Sequence, residues 1–171
     1  DGPVAIRYPR GMAAGVALER DPARLTVGQA EVLTDGEDLL ILSVGRMVGV
    51  TLDAYAKLRV QGIRATVVNC RFIKPLDDEC IIRLAQKIPY LLTVEESALN
   101  GGFGSAVVEL LSDRNIIPAR VKRVGLPDQF IEHGSQAILR SKYGLDVDGV
   151  VRSAQQLMVD ALPSTSIRAL A

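Results

Sequence analysis

The chain has 171 residues and a mass of 18.4 kDa, with 20 basic and 20 acidic side chains and no net charge. That length suits roughly one domain whose core needs no disulfides or metals, and 48% hydrophobic with 23% charged residues excludes a disordered, collagenous or coiled-coil chain. Zero net charge, 4% aromatics and no tryptophan argue against a nucleic-acid binder, and no run of about 18 uncharged apolar residues is present to span a membrane.

The chain opens Asp1-Gly2-Pro3 with no initiator methionine and no signal-peptide pattern, so a fragment of a longer protein is expected. Val4 to Tyr8 reads as a short strand closed by Pro9 and Gly11, and residues 11–26 as a linker. Gln29 to Leu33 and Leu39 to Val44 read as two strands, and the Asp35-Gly36 pair between them signals a hairpin. Leu39 to Val44 lacks alternation, as expected of a strand buried on both faces. Val48 to Val60 has helical spacing through Val48, Leu52, Tyr55, Ala56 and Leu58, and Gly62 stops it.

Ala65 to Val68 is a β-branched strand. Asp77 caps a helix through Ile81, Ile82, Leu84 and Ala85, with Pro89 beyond it. Tyr90 to Val94 is a buried strand, Ser105 to Leu111 a helix, Val121 to Val124 a strand, and Ser135 to Tyr143 and Asp148 to Leu162 are helices. This order predicts an α/β fold: a three-layer αβα sandwich around a mostly parallel five-stranded sheet with one antiparallel edge strand. Ligands of such sheets sit beyond the carboxyl ends of the strands, so the loops after Val44, Val68, Val94 and Val124 are the ones to inspect.

Gly45-Arg46-Met47 reads as a tight turn with a solvent-facing arginine. In the loop after Val68, Phe72 and Ile73 can bury the loop against the sheet, while Arg71 and Lys74 can contact a partner domain. Glu95 and Glu96 point to opposite faces of an extended chain, so they cannot jointly flank a bond; hydrogen bonds to nearby loop amides are the expected use. Gly101-Gly102-Phe103-Gly104-Ser105 opens a helix, but Val107 replaces the third glycine of a dinucleotide fingerprint and Lys122 and Arg123 follow instead of a ribose-binding acid. A tight helix–sheet approach is the better reading of these glycines. His133, the one histidine, has no nucleophile elbow to serve and is expected to be a loop residue fixed by hydrogen bonds. Cys70 and Cys80 form no CxxC and are expected to be buried, reduced thiols. Arg7-Tyr8-Pro9-Arg10-Gly11 places two cations at a strand end, a candidate anion site.

Taken together, Arg7-Tyr8-Pro9-Arg10-Gly11, Arg71 to Asp77, Thr93 to Glu96, Gly101 to Ser105 and Gly125-Leu126-Pro127-Asp128 resemble the C-terminal part of the 1-deoxy-D-xylulose-5-phosphate synthases. These are transketolase-like, thiamine-diphosphate-dependent enzymes. The resemblance implies residues 1–11 as the last strand of a preceding pyrimidine-binding domain, 12–26 as a linker, 27–162 as a transketolase-like C-terminal domain and 163–171 as a flexible tail. It implies a homodimer that condenses pyruvate with glyceraldehyde 3-phosphate and releases CO2. Thiamine diphosphate and Mg2+ would be held by the diphosphate-binding and pyrimidine-binding domains, whose motifs this chain lacks, so no catalytic, cofactor-binding or metal-binding residue is expected here. By resemblance Arg10 grips the acceptor phosphate. The implied location is cytoplasmic, or plastid stroma for a plant protein. The alternatives are the equivalent domain of a ketoacid dehydrogenase β subunit or of a transketolase, and a non-catalytic association module; a nucleotide-binding regulatory module ranks last.

Overall fold

The computed structural model describes residues 2–9, 15 and 20–159. Five strands form one sheet in the order β1-β3-β2-β4-β5: β1 Glu31–Val32, β2 Leu39–Ser43, β3 Ala65–Asn69, β4 Tyr90–Ala98 and β5 Arg120–Leu126. All neighbours are parallel except β1, which runs antiparallel on the edge. The helices are α1 Met47–Val60, α2 Asp78–Ala85, α3 Phe103–Asp113, α4 Gln136–Lys142 and α5 Val147–Val159. The predicted three-layer, mostly parallel five-stranded architecture is therefore the observed one.

Strand parity sorts the core into two halves. Leu39 and Ile41 of β2 face α1 and α5, together with Ala65, Val67, Leu92 and Val94. Leu40 and Leu42 face α2 and α3, together with Val68, Leu91, Phe103 and Val107. All four β2 leucine and isoleucine side chains are fully buried, which explains their lack of alternation: in the sheet centre both faces are covered. On α1 the buried stripe is Met47, Thr51, Ala54 and Leu58. The expected stripe through Val48, Leu52 and Tyr55 lies beside it, only half-buried. Thr51 enters the stripe because its hydroxyl donates to Ser43 Oγ at 3.1 Å, which satisfies both groups inside the core. Gly62 ends α1 with φ +84°, and Ile63 N donates to Leu58 O at 3.0 Å.

The hairpin expected at Asp35-Gly36 is not formed. β1 pairs with β3, in the register Glu31↔Asn69, and β3 stands between β1 and β2. The connection runs down the edge of β3, with Leu33 N donating to Val67 O, and passes under the start of that strand. There Gly36 exchanges hydrogen bonds with Thr66 Oγ1. A Cβ at Gly36 would stand 2.5 Å from Arg64 O, so this glycine serves a backbone crossing and not a two-residue turn.

Two further expectations are corrected. Val4 to Tyr8 forms no strand; Val4, Ile6 and Tyr8 are each more than 80% exposed. A strand needs a neighbour to satisfy its ladder, and the described residues offer this segment none. In the loop after β3, Phe72 is half-buried but Ile73 is exposed, because the loop is held by polar contacts instead of an apolar wedge. Arg71 pairs with Glu31 at 2.6 Å across β1, and Lys74 is exposed. Residues 12–14 and 16–19 of the linker and all of the 163–171 tail lie outside the described residues, as do the last residues of the predicted helix to Leu162.

Asp77 caps α2 as its position suggests, with Oδ1 accepting from Cys80 N at 3.0 Å. Its Oδ2 accepts from Ala30 N at 2.8 Å and fastens the segment entering β1. Asp77→Ala should therefore lose more than a cap alone, about 2–3 kcal/mol of unfolding free energy. Asp77→Asn, keeping one acceptor oxygen, should lose less; urea unfolding of the two variants measures both.

Candidate functional site

The carboxyl end of the parallel strands is built around an irregularity in β4. Val94 pairs with Val124, yet the next pair is Ala98 with Leu126, so three residues of β4 stand across from one on β5. Up to this point β4 keeps its alternation: Leu91, Thr93 and Glu95 face the side of α3, and Glu96 turns the other way.

Glu95 is fully buried. Oε2 accepts from Phe103 N at 2.7 Å and Oε1 from Gly104 N at 2.8 Å, while Ser97 Oγ donates to Oε2 as well. The carboxylate thus closes the first turn of α3, where the helix presents unpaired amides and the positive end of its dipole. The glycines of the Gly101–Gly104 run follow from this contact. A Cβ at Gly102 would collide with Glu95 Oε2 and Ala98 O, and one at Gly104 would stand 2.5 Å from Thr93 Oγ1. Gly125 plays the same part on β5, where a Cβ would lie 3.0 Å from Ser97 O and 3.1 Å from Glu95 Cγ. Thr93 Oγ1 is the buried side-chain oxygen without a partner among the described residues.

Glu96 reaches the other way. Its carboxylate accepts from Arg140 Nε of α4 at 2.7 Å, and its carbonyl accepts from Arg7 Nη2 at 3.0 Å. Arg140 has only 12% of its side chain exposed, and sequence reading passed over it; the one available signal was a cation on a short helix after the last strand. Arg123 was read only as the absence of an acid. It donates to Leu99 O and Ser105 Oγ, both at 2.8 Å, and fixes the turn that starts α3. Asn100 Nδ2 donates to Asp128 Oδ2 at 3.2 Å and links that turn to the loop after β5.

The loop after β5 is clasped onto α4. Ser135 caps α4 by accepting from Ile138 N, and Glu132 pairs with Lys142 while accepting from Tyr143 Oη at 2.6 Å. The loop's His133 is exposed and makes no hydrogen bond to the described residues, contrary to the expectation that it is pinned; the pinning is done by Glu132 and Asp128. Gly45, at φ +58°, forms the tight turn after β2 with Arg46 exposed beside it, as expected.

These contacts bound the chemistry. Glu95 spends both oxygens on α3, and Glu96 spends its carboxylate on Arg140. Cys70 and Cys80 are free and buried; burial pushes the Cys70 thiol up to about 12 and raises that of Cys80. Burial thus opposes the thiolate, the reactive form, in both. A diphosphate has no seat at α3, whose first turn is filled by Glu95 and whose glycines are covered by Glu95 and Thr93. No group of three His, Cys, Asp or Glu side chains among the described residues is placed to hold a metal ion. No helix among them is long and apolar enough to cross a membrane. Arg10 lies outside the described residues.

Two predictions follow from the geometry. Glu95→Ala leaves two helix amides unpaired in a buried site, at a cost of about 3 kcal/mol or more, read from chemical unfolding; Glu95→Gln should recover part of it. The second concerns pH. The Lys142 ammonium first, and the Tyr143 hydroxyl next, hold the Glu132 carboxyl down from 4.5 to about 2. A depressed folded value stabilises the clasp fully above the unfolded value and loses that stabilisation as pH falls through the folded one. The clasp should therefore be closed at pH 5, lose stabilisation progressively as pH falls from 4.5, and open as pH passes through about 2, visible in the Tyr143 ring resonances. Glu132→Gln should remove this titration.

A family model described as the transketolase C-terminal domain matches residues 28–150. The 1-deoxy-D-xylulose-5-phosphate synthase of Desulforudis audaxviator is 50% identical over 155 residues, covering 91% of this chain and 24% of the relative. The enzyme named 1-deoxy-D-xylulose-5-phosphate synthase 1 of Geobacter sulfurreducens is 44% identical over 158 residues, 92% of this chain and 25% of the relative. The chain thus spans about a quarter of the length of the curated relatives it matches. Among solved structures, a split-gene transketolase described as an inactive β4 tetramer superposes with a TM-score of 0.73 at 38% identity, over 80% of this chain and 44% of that one. A Pichia stipitis transketolase variant superposes at 0.58 and 21% identity, over 78% of this chain and 18% of that one, a likeness of fold alone. The match over residues 28–150 and the 38% identical fold of the split-gene transketolase agree: the chain belongs to the transketolase C-terminal domain family.

Proposed function

We propose that this chain is the C-terminal part of a thiamine-diphosphate-dependent synthase that joins pyruvate to glyceraldehyde 3-phosphate, releasing CO2 and forming 1-deoxy-D-xylulose 5-phosphate. The observation that carries the reading is the agreement of its relatives: eight curated proteins, 41–50% identical over 88–98% of the chain, bear that enzyme's name. In such an enzyme thiamine diphosphate and Mg2+ supply the carbanion chemistry. By the resemblance, the residues that hold them lie in portions of the polypeptide outside this chain, and the chain alone is proposed to be inactive.

What this chain contributes, in this reading, is support and one cation. Glu95, Arg123 and Asp128 hold the carboxyl-end loops in place, and Arg7 lays the N-terminal segment against Glu96. Arg10, three residues further on, would grip the phosphate of the acceptor aldehyde. An arginine suits that task because its planar fork can hold two phosphate oxygens at once. A second reading, an association module of a transketolase, is favoured by the inactive β4 tetramer at 38% identity. The higher identity to the synthases sets it behind the first.

In the full-length enzyme, Arg10→Ala should raise KM for glyceraldehyde 3-phosphate about tenfold to a hundredfold and leave KM for pyruvate nearly unchanged, since a charge-assisted contact is lost. Arg10→Lys should recover part of that loss. With an unphosphorylated aldehyde the difference between variant and parent should shrink. Equal losses on both acceptors would assign Arg10 a structural role and overturn the phosphate assignment.

A further inference from the structure

The turn that joins β4 to α3 runs Leu99-Asn100-Gly101-Gly102, and its Asn100 and Gly101 are exposed. Leu99 holds it in place: its N–H donates to Leu126 O at 2.8 Å, and its carbonyl accepts from Ser105 Oγ at 2.9 Å. Gly101 stands at φ +70°, with nothing within 4 Å of the place a Cβ would take. Of the three asparagines in the chain, Asn100 alone precedes a glycine; Asn69 precedes Cys70 and Asn115 precedes Ile116. A carboxamide can be attacked by the backbone nitrogen that follows it. A glycine leaves that approach unobstructed, whereas a β-branched residue crowds it.

The surroundings of Gly101 N favour that attack. Its N–H donates to Ser105 Oγ at 3.2 Å, and the same oxygen accepts from Arg123 Nη1 at 2.8 Å. A guanidinium thus stands one hydroxyl away from the nitrogen that must lose its proton. The nitrogen also lies just ahead of α3, whose N-cap is Gly102, at the positive end of the helix dipole. Both fields favour negative charge on it. Two carboxylates face the turn. Glu95 is engaged by Phe103 N and Gly104 N, while Asp128 Oδ2 accepts from Asn100 Nδ2 at 3.2 Å. That last bond ties the turn to the loop after β5.

We propose that Asn100-Gly101 is a self-modifying site, at which the turn converts Asn100 to aspartate or isoaspartate and so unties itself from Asp128. Gly101 N loses its proton and attacks Asn100 Cγ. The new N–Cγ bond closes a succinimide ring, the Cγ–Nδ2 bond breaks, and Nδ2 leaves as ammonia carrying a proton. Water then opens the ring: cleavage at Cγ leaves aspartate, and cleavage at the backbone carbonyl leaves isoaspartate. One water is consumed and one ammonia released, and nothing is oxidised or reduced. The product places a carboxylate where an amide donated to Asp128 Oδ2, so like charges meet at the former hydrogen bond. The proposal does not rest on the reaction assigned to the chain's relatives.

The test is peptide mapping by mass spectrometry of the 171-residue chain, held folded in neutral buffer at body temperature, beside a synthetic peptide of residues 95–107. Conversion should occur at Asn100 while Asn69 and Asn115 stay amides, and should run at least as fast in the folded chain as in the peptide. Arg123→Met, which removes the cation but keeps the bulk, should slow it about threefold to tenfold. Asn100→Gln, whose longer side chain cannot close the same ring, should abolish it. A folded chain that converts more slowly than the peptide would overturn the proposal, because the turn would then protect the amide. So would an Arg123→Met rate equal to or above the parent's, the result expected if Arg123 only stiffens the turn. For the untying, Asn100→Asp should unfold at a lower urea concentration than Asn100→Asp/Asp128→Asn, in which a carboxylate again faces an amide. Both carry the same new acid beside α3, so equal midpoints would overturn the untying.

Discussion

The buried Glu95 carboxylate joins three parts of the fold at once. It comes from the bulge in β4, closes the first turn of α3 through Phe103 N and Gly104 N, and lies against Gly125 of β5. Burying a carboxylate is costly unless its oxygens are satisfied, and a helix N-terminus satisfies them with amides that would otherwise lack partners. The arrangement explains why three glycines stand close to one acid. Each of Gly102, Gly104 and Gly125 marks a place where a Cβ would strike the carboxylate or the strand beneath it. A run of glycines that invites a phosphate-loop reading is here the footprint of an internal anion.

That anchor gives the carboxyl end of the sheet its rigidity and its division of labour. Inward, Glu95 and Arg123 fix the α3 turn. Outward, Glu96 holds Arg140 and receives Arg7. The loop after β5 is tied back at Asp128 and Glu132, leaving its apolar tip in water. The acids of that end are committed to structural hydrogen bonds, and burial opposes ionisation of both thiols.

The remainder of the molecule places that end. Parity along β2 assigns Leu39 and Ile41 to one helical layer and Leu40 and Leu42 to the other, so a single five-residue strand contributes to both halves of the core. Burial of this kind, at about 25 cal/mol per Å² of apolar surface, is the dominant favourable contribution to folding. Polar groups enter the core only in pairs such as Thr51–Ser43 and Thr66–Gly36. Thr93, under Gly104, is the exception among the described residues.

Local rules made much of this legible from the residues alone. The apolar run of β2, the spacing of α1, the Asp77 cap and the alternation of strands with helices specify an α/β sandwich because each is set by neighbours within a few residues. The parity of Glu95 and Glu96 is of the same kind, since an extended chain sends adjacent side chains to opposite faces. The pairing of β1 with β3 was not legible: Asp35-Gly36 looks like a hairpin turn, and only the packed sheet reveals that Gly36 makes room for the start of β3. Val4 to Tyr8 has the composition of a strand but no neighbour to pair with among the described residues. Arg140 on Glu96 and Arg123 on Leu99 were equally hidden, because they join residues 44 and 24 positions apart. Sequence determined which segments form elements and which residues can bury; the tertiary structure decided which strands meet and which charges find each other, since those choices depend on contacts that local spacing does not encode.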